Sequence, residues 1–344
     1  METVTADWTT EVLQRFLDAA EPDRRGTVTS VSPLSGGYSR ETAIAEVRWA
    51  DGVTQGLVLR RDPAPGTGVF MSERDSEWVI LRALSGVGPV RIPIARWYDA
   101  DGVHFGAKCI VSDFYESRCL QDLIREADDL TEVRSAFVDT VVDIHQTPID
   151  SLPADVAHPK DWDEYIDGLV DMIDHFSRNG VDSRPALRYT AARLRSYRPP
   201  PVALTLVHGD CQPGNVLVGS DGPVVIDWEF ARIGDPREDI GYYSDFPVLP
   251  NLYATDPEAF LARYRARTGM TEDELNPEVV EYFHMIGLIR LFGQEMSGAD
   301  AVANGEFRGI MASYLVNAIS NTSGVYFDIS RRLGSAPQPE GVTP

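Results

Sequence analysis

The chain has 344 residues, 43% of them hydrophobic and 24% charged, which is enough to bury a core without staples and too apolar for a disordered chain. A formal net charge of −22 repels nucleic acid and anionic lipid and argues against both as partners; it could draw in a cationic ligand or simply keep the protein in solution. The three cysteines, Cys109, Cys119 and Cys211, are odd in number and lack CxxC spacing, so a reducing, cytoplasmic setting is expected rather than a disulfide framework or a zinc site.

Met1–Trp8 carries Glu2 and Asp7 without a basic or apolar leader, and the apolar run Met285–Phe292 is short and broken by Arg290. Neither a secretory signal nor a membrane span is expected. The basic residues are almost all arginine; Lys108 and Lys160 are the two lysines.

Glu11–Ala20 reads as an amphipathic helix. Thr27–Leu34, Glu41–Trp49 and Thr54–Arg61 read as strands, with Ala50-Asp51-Gly52 turning between the last two. Asp62–Phe70 is rich in Pro and Gly and reads as a loop. A helix follows over Ser72–Leu84, with Ser72 and Asp75 as a capping box. Ile92–Tyr98 and Phe105–Asp113 complete a β-β-β-α-β-β order, an antiparallel sheet with one helix. After Tyr115 the pattern turns helical: Val133–His145, Trp162–Phe176 and Arg184–Tyr197. Two short apolar strands, Ala203–Val207 and Val224–Ile226, interrupt the helices. Thr271–Glu274 reads as a second capping box, and Ser335–Pro344 as a frayed tail. The composition shift divides the chain into residues 1–113, a linker at 114–118, and residues 119–344.

The chemistry concentrates between Leu206 and Asp239. An apolar strand runs into His208-Gly209-Asp210, Asn215 follows, and a second strand pair ends in Asp227. Phosphoryl transfer needs positioning, neutralisation of phosphate charge by Mg²⁺, and a group that orients the attacking hydroxyl. One carboxylate at a strand end can accept the hydroxyl proton. A carboxamide and a second carboxylate suit the hard-oxygen preference of Mg²⁺. Asp210 fits the first task; Asn215 and Asp227 fit the second. Any one of them alone would read as a turn residue.

These residues resemble the aminoglycoside phosphotransferase and choline kinase family, a branch of the protein-kinase-like fold. The family's catalytic loop H-x-D-x-x-x-x-N corresponds to His208, Asp210 and Asn215. Its I-D-W/F-E segment corresponds to Ile226–Glu229, and its GDP-x-x-D to Gly234–Pro236 with Asp239. The resemblance implies an α+β, bilobal fold, with a small antiparallel β-sheet N-lobe and a larger helical C-lobe. It also implies ATP (GTP not excluded) and Mg²⁺ as cofactors, and a small-molecule hydroxyl as the acceptor. By the same resemblance His208 and Asp239 are structural supports of the loop, and Glu229 is peripheral.

On the nucleotide side the resemblance places Ser35, Gly36 and Gly37 in a loop over the phosphates, though a plain hairpin turn explains the glycines equally well. The third-strand lysine of kinase-like folds is replaced by Arg60, with Arg61 on the opposite face. Glu77 is its expected partner, with Glu73 as a rival. Ser112, Asp113 and Phe114 are expected to meet the adenine through backbone groups. The Val-Leu-Arg-Arg strand resembles the branch that includes kinase-like domains fused to acyl-CoA dehydrogenases.

On the acceptor side Asp245, Glu281 and Glu295 are acidic candidates, though charged helical residues are mostly solvated. Trp162, Tyr165, Tyr242 and Tyr243 could line a pocket or pack the core, and His145 reads as structural. Acceptors compatible with these features are amino sugars, amino alcohols, macrolides and hydroxyacyl thioesters. A non-catalytic nucleotide- or metabolite-binding protein is the alternative, favoured by Arg60 and opposed by intact Asp210, Asn215 and Asp227.

Overall fold

The computed structural model describes residues 8–34, 41–63, 74–153, 156, 158–178, 185–244 and 250–303, without the side chains of 176–178, 185–186 and 291–303. Helix α1 (Thr10–Ala20) is capped by Thr9, whose hydroxyl accepts the Val12 N–H at 3.2 Å. Its Leu13, Phe16 and Leu17 turn inward. Strands β1 (Gly26–Leu34), β2 (Glu41–Trp49) and β3 (Thr54–Arg61) form an antiparallel meander. Helix α2 (Arg74–Leu84) separates it from β4 (Ala95–Asp99) and β5 (Cys109–Asp113), and the sheet runs β1-β2-β3-β5-β4. The order of strands and helix is the one read from the sequence.

The last two strands are shorter than their apolar pattern suggests. The Asp99 carboxylate accepts the N–H groups of Val103, His104 and Phe105 at 3.2, 2.9 and 2.9 Å. Those amides are thereby taken out of any ladder, and the chain folds back on Asp99 before β5 begins. Phe105 is buried as a loop residue, its ring 4.9 Å from that of Phe16. Its apolar character reports this packing, not strand membership.

The chain then leaves the first sheet. Strand β6 (Arg118–Cys119) is followed by α3 (Leu120–Glu126), α4 (Thr131–His145), α5 (Trp162–Arg178) and α6 (Pro185–Ser196). Strand β7 (Thr205–Val207) precedes a hairpin of β8 (Val216–Gly219) and β9 (Gly222–Val225), and β10 (Arg232–Gly234) returns to pair with β7. β6 pairs with the free edge of β8. Helices α7 (Arg237–Ser244), α8 (Leu252–Thr255), α9 (Pro257–Thr268) and α10 (Pro277–Ala303) complete the described chain. It is an α+β architecture, a small antiparallel sheet joined to a mainly helical half.

The capping box at Thr271 forms, but it closes a turn and not a helix. The Glu274 carboxylate accepts the Thr271 N–H at 2.8 Å, and the Thr271 hydroxyl accepts the Glu274 N–H at 3.3 Å. Helix α10 starts later, where Asn276 accepts from the Glu278 and Val279 N–H groups and Pro277 takes the first helical position. The Ser72 capping box lies outside the described residues.

Three apolar clusters hold the elements together. One lies between α1 and the sheet, one runs from α2 through α4 to α9, and one joins α5, α6 and α10. The middle cluster contains Leu206, Val225 and Trp228. It therefore anchors both strand ends from which the candidate site projects.

Candidate active site

Strand β7 ends in His208-Gly209-Asp210. Gly209 has φ +81°, and a Cβ there would lie 2.6 Å from both Arg232 Nη1 and the Phe230 carbonyl. Only glycine fits both the backbone and the space. The turn is braced by Asp239 of α7, whose carboxylate accepts the N–H groups of His208 and Gly209 at 2.9 and 2.8 Å. Asp239 also meets His145 Nε2 at 3.0 Å, and His145 Nδ1 meets the Tyr264 hydroxyl at 2.6 Å. Burial disfavours the charge on Asp239, yet His145 and His208 hold its carboxyl below the usual range.

His208 is buried and packs on Trp228, with ring centroids 4.8 Å apart. Its Nδ1 accepts the Asp210 N–H at 3.3 Å and its Nε2 lies 2.9 Å from the Ile226 carbonyl. This pattern assigns the Nε2–H tautomer, and burial lowers the pKa of the ring. His208 thus ties the loop of Asp210 to the strand end of Asp227 without touching the space between them.

Asn215 Nδ2 donates to both the carbonyl and Oδ2 of Asp210, at 2.9 and 2.8 Å. The Ile226 N–H donates to the Asn215 carbonyl at 2.9 Å, setting the second strand end beside the first. Asp227 itself adopts φ 70°, the one left-handed non-glycine among the described residues. Such a conformation is tolerated best by Asp and Asn, and it aims the side chain away from the strand direction.

Asp210 Oδ1 is buried without a hydrogen-bond partner among the described residues. Burial pushes the carboxyl up to about 7, and the negative charge of Asp227 adds to this; the Tyr242 hydroxyl and the Asn215 amide pull the other way. Asp227 moves oppositely. Burial would raise it, but the Arg60 guanidinium keeps it low. Two carboxyls in one site with pKa values driven apart are able to divide proton transfer from charge holding.

Arg60 reaches across from β3. Its Nη1 lies 2.9 Å from Glu77 Oε1 of α2, and its Nη2 lies 2.6 Å from Asp227 Oδ1. Burial opposes its charge, and the two carboxylates hold it firmly protonated. Arg61 faces the other way, bonded to Glu41 and the Phe105 carbonyl with its guanidinium 4.3 Å over the Trp8 ring. Glu77 is 2% exposed and also bonds Arg74. Glu73, Ser35, Gly36 and Gly37 lie outside the described residues.

A profile of the phosphotransferase enzyme family matches residues 30–278. The chain belongs to this family. Among solved structures, one of a putative aminoglycoside phosphotransferase from Ralstonia eutropha aligns with TM-score 0.66 and 18% identity, over 95% of this chain and 99% of that one. A thermostable mutant of aminoglycoside phosphotransferase APH(4)-Ia, in ternary complex with AMP-PNP and hygromycin B, aligns with TM-score 0.65 and 16% identity over 94% and 99%. The GDP complex of aminoglycoside 2′-phosphotransferase-IIIa aligns with 0.61 and 17% over 92% and 99%. At these identities the likeness is one of fold. No curated protein sequence matches significantly.

Within this phosphotransferase-family fold the other expected residues separate. The Asp113 N–H bonds the Ile94 carbonyl at 3.0 Å, and the Phe114 N–H bonds the Gly56 carbonyl at 2.9 Å. The Asp113 carboxylate is held by Gln55 and by both arms of Arg96. Ser112 is buried in β5, while Phe114 is exposed over Gly56. The two amides expected at an adenine are therefore already engaged within the N-terminal half.

Trp162 and Tyr243 are core: the Trp162 indole donates to Asp235 Oδ2 at 2.6 Å, and the Tyr243 hydroxyl accepts the Leu252 N–H at 3.0 Å. Glu281 lies beside Tyr253. Asp245 and the Glu295 side chain lie outside the described residues. Sequence reading misses a polar cluster beside the His208–Asn215 loop, where Glu238 meets Arg232, Arg290 and Tyr165. Its one sequence signal is Arg232, a charged residue standing inside an apolar strand that pairs with β7.

Proposed function

We propose that the protein transfers the γ-phosphoryl group of ATP, or of GTP, to the hydroxyl of a small molecule. The carrying observation is the convergence of Asp210, Asn215 and Asp227 from two adjacent strand ends, with Arg60 crossing to Asp227 from the other half of the fold. Asp210 is the group to receive the hydroxyl proton as the new O–P bond forms and the bond from the γ-phosphorus to the bridging oxygen breaks, releasing the nucleoside diphosphate. Its orphaned, buried Oδ1 is an acceptor awaiting a donor, and its raised pKa suits proton transfer near neutrality. Asn215 holds that carboxylate in place.

Among the described residues no cluster of three His, Cys, Asp or Glu side chains would hold a metal unaided. Mg²⁺ rarely needs one, since it binds through one or two protein oxygens plus phosphate oxygens. Asp227 and Asn215 fit that donor set: Asp227 meets Arg60 through Oδ1 and Asn215 meets Asp210 through Nδ2, so each keeps an oxygen uncommitted. When bound, the ion would neutralise charge on the transferring phosphoryl group. Arg60 would contribute a planar fork toward the phosphates while keeping Asp227 ionised.

The test is ADP release from ATP or GDP release from GTP, with and without Mg²⁺, across a panel of alcohols. The expected result is Mg²⁺-dependent release stimulated by at least one alcohol and lost in Asp210→Asn. Release that no alcohol stimulates would instead support a nucleotide-binding protein.

A further inference from the structure

Glu238 of α7 is buried, and its Oε2 is shared by two arginines. Arg232 Nη2 lies 2.6 Å away, and Arg290 Nη1 of α10 lies at the longer distance of 3.4 Å. Tyr165 donates its hydroxyl to Oε1 and also receives Arg232 Nε at 3.2 Å. Arg232 is thus held on three sides, its Nη1 bonded to the Phe230 carbonyl at 2.8 Å. Arg290 is not. Its long contact with Glu238 is the one hydrogen bond its guanidinium makes among the described residues, and its side chain keeps 24% of its surface exposed. Among the described residues one carboxylate serves two guanidinium groups, leaving one positive charge in excess. Burial and the neighbouring Arg232 both press against the charge of Arg290, which marks the deficit of counter-charge around it.

This excess charge stands next to the catalytic loop. A Cβ on Gly209 would lie 2.6 Å from Arg232 Nη1, so Arg232 sits directly against the backbone that presents Asp210, and Arg290 is tied to it through the shared Glu238. Tyr242 links the two places. Its hydroxyl hydrogen-bonds Asp210, and its backbone and ring pack on α10 at Gly287, one turn before Arg290. The nucleotide-side cation, Arg60, is engaged elsewhere, with Glu77 and Asp227.

We infer that Arg290, backed by Arg232 on Glu238, is the subsite for an anionic group on the acceptor, so that the preferred substrate is an alcohol carrying a carboxylate or phosphate. This deepens the phosphotransfer reading above and rests on it for the word acceptor. The protein's overall charge of −22 disfavours anions over the surface at large, so a local positive site outside the nucleotide side is the more selective, and a half-buried guanidinium favours an oxyanion. The site disfavours the polycationic acceptors that the global charge alone would suggest. A charge-assisted contact of this kind changes affinity by roughly 10- to 100-fold.

Two measurements decide it. The first compares acceptors in matched pairs by Mg²⁺-dependent ADP release: glycerate against glyceramide, and glycerol phosphate against glycerol, with ethanolamine as the cationic comparator. The anionic member should lead its pair, carboxylate and phosphate arms telling which oxyanion is preferred. Arg290→Gln should collapse the preference by raising KM for the anion roughly 10- to 100-fold, and Arg290→Lys should restore part of it. A preference for the neutral or cationic alcohol, or a ratio unchanged in Arg290→Gln, overturns the inference. The second is calorimetric titration of malonate and of inorganic phosphate into the full chain. Binding should be lost in Arg290→Gln and kept in Arg60→Ala. If no alcohol of any charge stimulates ADP release, phosphotransfer fails, and the titration still decides the anion site. No binding of either probe, or binding that follows Arg60 instead of Arg290, overturns it.

Discussion

Arg60 and Asp227 are joined at 2.6 Å across 167 residues of sequence, and the same guanidinium grips Glu77 at 2.9 Å. One side chain therefore couples the sheet, α2 and the strand end of the helical half. A lysine would offer a single ammonium where the planar fork meets two carboxylates at once.

Arg60→Ala should weaken nucleotide binding by roughly 10- to 100-fold, the value of one or two charge-assisted contacts. Arg60→Lys should recover part of the loss. Glu77 keeps Arg74 in either variant, so the fold should survive. Calorimetry with ADP and AMP-PNP measures this. Equal affinity in Arg60→Ala and the parent would remove Arg60 from the nucleotide side.

The two aspartates should fail differently. Asp210→Asn keeps the shape and removes the proton acceptor, so single-turnover transfer should fall roughly 10²- to 10⁴-fold with nucleotide affinity retained. Asp227→Asn suits the left-handed backbone equally well but removes the charge, so Mg²⁺-dependent nucleotide affinity and turnover should fall together. Nucleotide titrations with and without Mg²⁺, alongside single-turnover rates, separate the variants. An Asp227→Asn protein with its Mg²⁺ dependence intact would place the metal elsewhere.

The His208–Asn215 loop is legible in sequence because most of its geometry is local. Gly209 must be glycine for want of space, Asn215 reaches back to Asp210 over one turn, and Asp239 closes the brace from the next helix. Strand alternation separates Arg60 from Arg61, whereas Glu77 as the partner, with Glu73 as a rival, is what the family resemblance implies. The contacts that sequence leaves hidden join distant elements. Arg74 is a fully buried second partner for Glu77, and nothing in its helix periodicity separates it from a solvated arginine. Glu238, Arg232, Tyr165 and Arg290 come from four elements, and each alone reads as an ordinary surface or core residue. The Asp99 loop misleads because Phe105 is apolar for packing on α1, while a side chain takes the amides a strand would need.

Asp239 should matter more to stability than its distance from any phosphate suggests. It is 1% exposed and satisfies two backbone N–H groups and His145. Asp239→Ala strands all three, which predicts a loss of about 3–5 kcal/mol. Its carboxyl is held low in the folded state, so its contribution is complete above the unfolded value near 3.9 and fades as pH falls below it. Urea unfolding of Asp239→Ala at neutral pH checks the magnitude. A loss under about 1 kcal/mol, the value of an ordinary surface hydrogen bond, would mean the loop is braced by other groups.

The opposite sign is expected of Asp210, and its test needs no acceptor. In the unfolded chain an aspartate ionises near 3.9. In the folded protein burial and Asp227 push Asp210 up to about 7. Between those values the folded chain holds a proton that the unfolded chain has released, so this group costs stability progressively as pH rises through the window, by at most about 1.4 kcal/mol per unit. Above about 7 both states are ionised and the cost stops growing. Asp210→Asn cannot lose that proton. Relative to the parent, it should gain stability steadily from pH 4 to 7 and then level off, in metal- and nucleotide-free protein. Paired thermal or urea melts at half-unit intervals report the difference directly, since every other titrating group is common to both chains. A difference that stays flat across the window would mean that Asp210 is ionised at low pH like a solvated carboxylate, and that its proton-accepting power owes nothing to burial.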